Sequence, residues 1–125
     1  MSSVLAVAFG GALGALARYG LGHLAVRLGA DTFPWGTWAV NLMGCLLIGL
    51  VVPFTAEPHQ DTARLLVVTG FLGAFTTFST YSLDTLSLWM AGRPALALAN
   101  ALGSVVLGLG CVGLGVWAAR ALGAP

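Results

Sequence analysis

The sequence contains no lysine and little charge of either sign. Charged residues make up 7% of its 125 residues, whereas soluble domains carry about 25%. The mean hydropathy is +0.96, and 58% of the residues are hydrophobic. A surface so poor in charge could not keep a compact domain in water, so the composition excludes a water-soluble enzyme. It indicates a protein that dissolves in the lipid bilayer.

The chain also lacks a high positive charge and has only two cysteines. The net charge is +1, which excludes recruitment of nucleic acid through its phosphates. The N-terminal stretch MSSVLAVAFGG has no basic n-region, so it does not resemble a cleavable signal peptide. Cys45 and Cys111 lie in apolar stretches, where a free thiol packing as a small hydrophobic group is favoured over a disulfide or metal site.

Long, continuous apolar runs predict membrane-spanning helices. A bilayer core about 30 Å thick requires about 20 apolar residues per helix, so the chain has room for four spans with short loops. Spanning strands would instead alternate in hydrophobicity. We therefore expect an all-α membrane protein, with residues 1–125 forming a single domain of four transmembrane helices. The predicted spans cover residues 4–28, 35–52, 64–90 and 95–119.

Glycines are abundant, and many are spaced along the spans where helices could touch. There are 18 in the chain, including Gly10, Gly14, Gly110, Gly113 and Gly115. Small residues allow helix backbones to approach closely in lipid, where packing replaces the hydrophobic effect. Tight helix packing is therefore the expected role of nearly all of them.

The arginines that flank the spans are evenly divided between the two membrane faces. With four spans, Arg64 and Arg120 lie on one face, and Arg27 and Arg93 lie on the other. Orientation follows the Lys/Arg asymmetry of short loops, and here there is none. An antiparallel, dual-topology homodimer is one hypothesis, the two-chain version of an inverted repeat. A chain that still inserts one way, or a heterodimer with an oppositely oriented paralogue, is the alternative.

The third span is unusually polar for a membrane helix. Eight Ser and Thr residues lie in it: Thr69, Thr76, Thr77, Ser79, Thr80, Ser82, Thr85 and Ser87. Such hydroxyls can bond back to their own helix, but this density favours a helix that packs against protein or lines a wet path. Gly70 and Gly73 mark where the helix could break, and freed carbonyls at a break can bind a cation.

Aromatic and amide groups complete the candidate path. Phe71, Phe75 and Phe78 share one helical face if the helix is continuous, and the positive edge of a ring can favour a small anion. A phenylalanine stripe is more often simple packing. Asn41 lies mid-span, where its amide could bond a neighbouring helix or donate to an anion. Asp84 is the one acidic residue deep in a span, which disfavours a proton-coupled cation pump.

Three motifs resemble the fluoride channel family, Fluc, also called CrcB. They are GGALGALARYGL, WGTWAVNLMGCLLIG and GFLGAFTTFSTYSLD, and they occur in the family's order across all four spans. The resemblance implies a channel for passive export of fluoride from the cytoplasm across the inner (plasma) membrane, and no enzyme activity. It also implies a dual-topology homodimer with two pores and a structural sodium ion at the dimer centre.

The resemblance also assigns roles to individual residues. Phe75 and Phe78 match the family's two pore phenylalanines, and Asn41 matches its pore asparagine. The backbone carbonyls around Gly70 and Gly73 would hold the sodium ion. The remaining matches are polar pore residues and one structural or vestibular arginine: Thr76, Thr77, Ser79, Thr80, Ser104 and Arg18.

This chain departs from the family pattern at four positions. Asp84 stands where the family often has Glu, and Tyr81 replaces a common Phe. In span four the family's polar track of Tyr, Ser and Ser corresponds here to Asn100, Ser104 and Gly108. Gly108 supplies no hydroxyl, so this track is expected to be incomplete.

Two other functions fit the same length and composition. A small dual-topology multidrug exporter is comparable in size, but it needs a membrane-embedded carboxylate, typically in the first span, and this chain has none there. A membrane assembly partner without transport activity would use its hydroxyls and glycines only for helix association.

Overall fold

The computed structural model describes residues 2–29, 32–55 and 61–125, and all regular structure in those ranges is helical. Four of its helices are long and apolar enough to cross a membrane. We call them spans 1 to 4: Ser3–Arg27, Trp35–Thr55, Thr62–Met90 and Pro94–Ala121. At about 1.5 Å per residue, each matches or exceeds the thickness of a bilayer core. The predicted class, an all-α protein with four membrane-spanning helices, is confirmed.

The spans begin and end at residues suited to helix termini. The Ser2 hydroxyl accepts a hydrogen bond from the Leu5 N–H, 3.3 Å, and so caps span 1. Gly29 and Gly92 follow spans 1 and 3 with φ of 73° and 71°, a conformation that favours glycine and stops a helix. Pro94 occupies the first turn of span 4, where its missing N–H removes no hydrogen bond.

Spans 1 and 3 cross at glycines. An added Cβ at Gly10 would meet the carbonyl of Leu66, and one at Gly14 would meet the carbonyl of Phe71. From the other side, a Cβ at Gly70 would lie 2.8 Å from the Val7 carbonyl oxygen. Span 3 is a π-helix at this crossing, Leu65–Leu72, and the wider turn accompanies the close approach.

Spans 2 and 4 form the second tight pair. A Cβ at Gly49 would meet the Val112 carbonyl, and one at Gly115 would meet the backbone of Leu46. Gly110 and Gly113 differ, because nothing lies within 4 Å of a Cβ at either position. The expected packing role therefore holds within the described chain for Gly10, Gly14 and Gly115, and does not hold for those two.

Small residues fill much of the buried interior, and long apolar side chains point outward. The buried hydrophobic residues are Ala6, Val40, Leu72, Phe75, Ala97 and Ala119. Leucine and valine side chains on all four spans are exposed. This distribution suits a protein whose surrounding solvent is lipid, where close backbone packing holds the helices together.

Candidate functional site

Span 3 contains two extended residues near its middle. Thr76 has φ −82° and ψ 160°, and Thr77 has φ −151° and ψ 117°. We call them the Thr76–Thr77 pair, the preceding residues 61–75 part 3a, and the helix Phe78–Met90 part 3b. Gly70 lies within the π-helix, and Gly73 is helical with φ −62° and ψ −36°. The extended backbone therefore follows both glycines, on which the sequence placed the weak points.

Side chains replace the helical hydrogen bonds that this pair loses. The Thr77 N–H donates to Asn41 Oδ1, 2.8 Å, and Asn41 Nδ2 donates to the Thr77 carbonyl, 3.0 Å. The Thr77 hydroxyl oxygen accepts from the Thr80 N–H, 3.2 Å, which caps part 3b. Thr76 keeps its helical bond, since its N–H donates to the Leu72 carbonyl at 3.1 Å, and its hydroxyl donates to the same carbonyl at 3.0 Å. Threonine suits these positions because it tolerates extended backbone and carries a local hydrogen-bonding group.

The amide of Asn41 is therefore engaged with a neighbouring span. Its oxygen and one of its two N–H groups bond the backbone of Thr77. Of the two roles considered for Asn41, the structure places it in the interhelical one. One amide hydrogen remains for any further acceptor, because the group carries two.

A groove of about 370 Å³ runs beside the extended pair and is partly open to the side. Its walls come from spans 2, 3 and 4. They are formed by Asn41, Gly44, Cys45, Ile48, Val68, Leu72, Gly73, Thr76, Thr77, Phe78, Tyr81, Ser104 and Val105. The Ser104 hydroxyl is buried and has no hydrogen-bond partner among the residues that the structure describes. It is a polar group that an entering ligand could satisfy.

The aromatic lining of the groove differs from the sequence expectation. Phe78 and Tyr81 line it, with ring centroids 5.5 Å apart and planes tilted by 42°. Phe75 does not line the groove. Its side chain is 2% exposed and stacks on Phe71 in the core at 5.5 Å. The three phenylalanines do not share one helical face as predicted. The helix is interrupted by two extended residues between Phe75 and Phe78, so these two side chains point in different directions.

A second cavity, of about 190 Å³, also borders Thr77. Three threonines and one arginine are among its lining residues, which are Arg18, Gly22, Gly36, Thr37, Val40, Thr77 and Thr80. We call it the Arg18 cavity. Thr77 is the residue that borders both this cavity and the groove. Thr77 thus stands between the Arg18 cavity and the largely apolar groove, which also contains its partner Asn41.

Two predicted residues lie apart from these cavities. Asp84 lines a different cleft, with Thr32, Ser87 and Arg93, and Arg18 is not among the residues that line it. Ser79 is exposed and its hydroxyl lies 3.3 Å from that of Thr77, but it borders neither the groove nor the Arg18 cavity.

The span 4 residues separate into three different environments. Ser104 lines the groove. Asn100 is 1% exposed and donates to the Thr85 hydroxyl, 2.8 Å, which ties part 3b to span 4 away from the groove. Gly108 is buried, and the position of a Cβ there would lie 3.3 Å from the Cys45 sulfur. Ser104 is therefore the one member of the matched track that reaches the groove.

The match to known proteins covers nearly the whole chain. The family model described as "CrcB-like protein, Camphor Resistance (CrcB)" matches residues 5–116. The chain belongs to the CrcB family. This match confirms the resemblance carried by the three motifs.

Several curated relatives are named "Fluoride-specific ion channel FluC". The protein of Paracoccus denitrificans (strain Pd 1222) is 48% identical over 118 residues, which cover 94% of each chain. That of Dehalococcoides mccartyi (strain CBDB1) is 44% identical over 119 residues, 94% of this chain and 92% of the relative. A Rhizobium johnstonii protein is 44% identical over 124 residues, 98% of this chain and 99% of the relative. These names do not favour a multidrug exporter.

Proposed function

We propose that this chain is a fluoride-selective channel for passive export of fluoride, and not an enzyme. The observation that carries the proposal is the position of Thr77, which borders both the Arg18 cavity and the groove. An ion that passes the Asn41–Thr77 contact would move from the Arg18 cavity into the groove. The names of the CrcB relatives support fluoride as the ion.

The Arg18 cavity would serve as the entrance. Its guanidinium raises the local concentration of anions, and the hydroxyls of Thr37, Thr77 and Thr80 can replace part of the hydration shell. Conduction requires binding that is favourable enough for entry and weak enough for exit. The groove meets this requirement because its donors are neutral: the free Asn41 N–H, the Ser104 hydroxyl and the ring edge of Phe78.

A test in reconstituted liposomes separates the three candidate functions. Purified protein is incorporated into liposomes loaded with fluoride or with chloride, and efflux is followed with ion-selective electrodes. A channel releases fluoride down its gradient, without a proton gradient, and much faster than chloride. A multidrug exporter requires a proton gradient, and an assembly partner releases neither ion. Protein-free liposomes loaded with the same ions control for leak. Fluoride efflux that is no faster with the protein than without it would contradict the proposal.

The functional unit that we propose is an antiparallel homodimer. The groove is open to the side in one copy, and Phe78 on its wall is 80% exposed, so a second copy could close it. The flanking arginines favour neither orientation. Two copies inserted in opposite directions would complete two equivalent grooves. The expected location is the cell's inner (plasma) membrane.

The dimer hypothesis can be tested by biasing insertion. One variant carries Arg27→Gln and Arg93→Gln, and the other carries Arg64→Gln and Arg120→Gln, so each loses the positive charges of one face. If opposite orientations are required, each variant alone loses flux and co-expression of the two restores it. A C-terminal tag read from each side of the membrane gives the orientation directly. Full flux from a variant that inserts only one way would contradict the dimer.

A structural sodium ion would fit the backbone at the extended pair. The Thr77 N–H, which would bond the Gly73 carbonyl in a continuous helix, donates to Asn41 instead. Likewise the Thr80 N–H bonds the Thr77 hydroxyl and not the Thr76 carbonyl. The carbonyls of Gly73 and Thr76 have lost their helical donors, whereas the Gly70 carbonyl accepts from the Gly73 N–H. Freed carbonyls of this kind bind sodium in other membrane proteins.

The ion would be coordinated by the freed carbonyl oxygens where two copies meet. We expect replacement of sodium by a large organic cation to lower the unfolding temperature of the purified protein in detergent. Potassium provides the control for ionic strength. An unfolding temperature independent of the cation would contradict this site.

A further inference from the structure

A cleft outside the groove is lined by one acidic and one basic side chain. Its volume is about 370 Å³, within the range of about 300–1,000 Å³ that is typical of small-molecule sites. Its walls include Thr32, Phe33, Asp84, Ser87, Leu88 and Arg93. We call it the Asp84 cleft. It shares no lining residue with the groove or with the Arg18 cavity.

The Asp84 cleft lies at one end of the spans, where a bilayer meets water. Part 3b ends at Met90 and span 4 begins at Pro94, so the turn between them carries Arg93. Trp89 and Trp35 lie at the same end, and 57% and 47% of their surfaces are exposed. Exposed tryptophans of this kind are typical of the headgroup level of a membrane. A ligand therefore enters this cleft from the headgroup layer.

The two charged side chains of the cleft are not bonded to each other. Asp84 Oδ2 is buried and has no hydrogen-bond partner among the residues that the structure describes. Arg93 is exposed, and its Nη1 donates to the Thr32 carbonyl at 3.2 Å. Since a guanidinium has five N–H donors, others remain for an anionic group. The cleft thus offers a carboxylate to a cationic group and a guanidinium to an anionic one.

We propose that the Asp84 cleft binds the headgroup of phosphatidylethanolamine, with the ammonium at Asp84 and the phosphate at Arg93. This lipid carries its positive and negative groups two carbon atoms apart, so one headgroup presents both charges that the cleft complements. Hydrogen bonds between charged partners of this kind are the strong ones in proteins. Rotation about the Cβ–Cγ bond of an aspartate is broad, so either carboxylate oxygen can meet the ammonium.

The other walls of the cleft suit the rest of the lipid. Ser87 is exposed and lines the cleft, so its hydroxyl is a further donor to the phosphate. Phe33 and Leu88 supply an apolar surface for the start of the acyl chains. Because the cleft is separate from the groove and the Arg18 cavity, this inference does not rest on fluoride transport.

Two related lipids isolate the contribution of each charge. Phosphatidylcholine has the same phosphate and the same positive charge, but three methyl groups replace the N–H donors. Phosphatidylglycerol has the phosphate and no positive charge. If Asp84 accepts hydrogen bonds from the ammonium, phosphatidylethanolamine should be preferred to both.

Native mass spectrometry of the purified protein in detergent measures the lipid that it retains. With the three lipids at equal concentration and with identical acyl chains, we expect phosphatidylethanolamine to bind about tenfold more tightly than phosphatidylcholine. Asp84→Asn should abolish this preference, and Arg93→Gln should weaken binding of all three lipids. Arg120→Gln is the matched control, because it removes an exposed flanking arginine that does not line the cleft.

Thermal unfolding in detergent provides an independent measurement. Phosphatidylethanolamine should raise the unfolding temperature of the unchanged chain and of Arg120→Gln more than phosphatidylcholine does, because a ligand that binds the folded state stabilises it. Arg93→Gln should reduce this rise, and it tests the cleft even if Asp84→Asn folds poorly, since Arg93 is exposed. Free O-phosphoethanolamine, which lacks the acyl chains, should have little effect at the same concentration.

Each outcome supports or overturns the inference. A preference for phosphatidylethanolamine that is lost in Asp84→Asn and kept in Arg120→Gln supports it. Equal retention of phosphatidylethanolamine and phosphatidylcholine by the unchanged chain would overturn it, and so would a preference that survives Asp84→Asn. Phosphatidylglycerol bound as tightly as phosphatidylethanolamine would show that the arginine alone holds a phosphate. An equal effect of free O-phosphoethanolamine would show a site for a soluble phosphoester and overturn the assignment to a lipid.

Discussion

The side-chain amide of Asn41 bonds Thr77 as a neighbouring peptide group would. The Thr77 N–H donates to Asn41 Oδ1 at 2.8 Å, and Asn41 Nδ2 donates to the Thr77 carbonyl at 3.0 Å. Thr77 is only 8% exposed, and buried peptide groups must find partners in a membrane. The extended backbone of span 3 thus depends on one side chain from span 2.

Replacement of Asn41 should therefore affect both stability and transport. Asn41→Ala leaves the N–H and carbonyl of Thr77 without partners, at about 1–3 kcal/mol for each group. We expect a lower unfolding temperature and strongly reduced fluoride efflux. Ser82→Ala is the control, because its exposed hydroxyl bonds only the Phe78 carbonyl of its own helix. Wild-type stability in Asn41→Ala would contradict the role of the amide.

Phe75 and Phe78 should respond in opposite ways to substitution. Phe78 is 80% exposed on the groove, so Phe78→Ile should reduce fluoride efflux and leave the unfolding temperature nearly unchanged. Phe75 is 2% exposed, so Phe75→Ala should destabilise the protein by about 3–5 kcal/mol. Efflux and thermal unfolding are measured on both variants. Phe78→Ile with undiminished efflux would remove the ring from the conduction path.

Two glycines of span 1 provide a matched test of helix packing. A Cβ at Gly14 would meet the Phe71 carbonyl, whereas nothing lies within 4 Å of a Cβ at Gly20. Gly14→Ala should destabilise the protein by about 1–3 kcal/mol, because the added methyl group meets the backbone of span 3, which cannot move away easily. Gly20→Ala should be neutral or stabilising by up to about 1 kcal/mol through helix propensity. Thermal unfolding in detergent measures both, and equal behaviour would show that spans 1 and 3 can separate without penalty.

Arg18 should act through its charge at the cavity entrance. Arg18→Gln should lower fluoride efflux several-fold at about 0.01 M ionic strength and much less at 0.15 M, because the Debye length falls from about 30 Å to about 8 Å. Arg18→Lys keeps the charge and should retain most of the flux. The salt dependence of efflux from liposomes gives the result. A loss that is the same at both ionic strengths would indicate a structural arginine.

Asn100 should contribute to stability more than to conduction. It is 1% exposed and joins part 3b to span 4 through the Thr85 hydroxyl. Asn100→Ala should lower stability by about 1–3 kcal/mol. The fluoride/chloride ratio of the remaining efflux should be unchanged, since Asn100 does not line the groove. A changed ratio in liposome assays would place this side chain on the ion path.

The sequence by itself determined the solvent and the architecture. Nine charges in 125 residues and continuous apolar runs leave only lipid-embedded helices, because backbone groups in a bilayer must bond within their own segment. The even division of the flanking arginines between the two membrane faces likewise follows from the sequence alone. The motifs around Asn41 and in span 3 were sufficient to recognise the CrcB family.

The direction in which individual side chains point was decided only by the tertiary structure. Helical periodicity placed Phe75 and Phe78 on one face, but the extended Thr76–Thr77 pair resets the phase, so Phe78 and Tyr81 line the groove and Phe75 enters the core. Asn41 and Asn100 could each have been free donors by sequence. Their partners, Thr77 and Thr85, lie on another helix, and a hydrogen bond across helices depends on packing that no local pattern records.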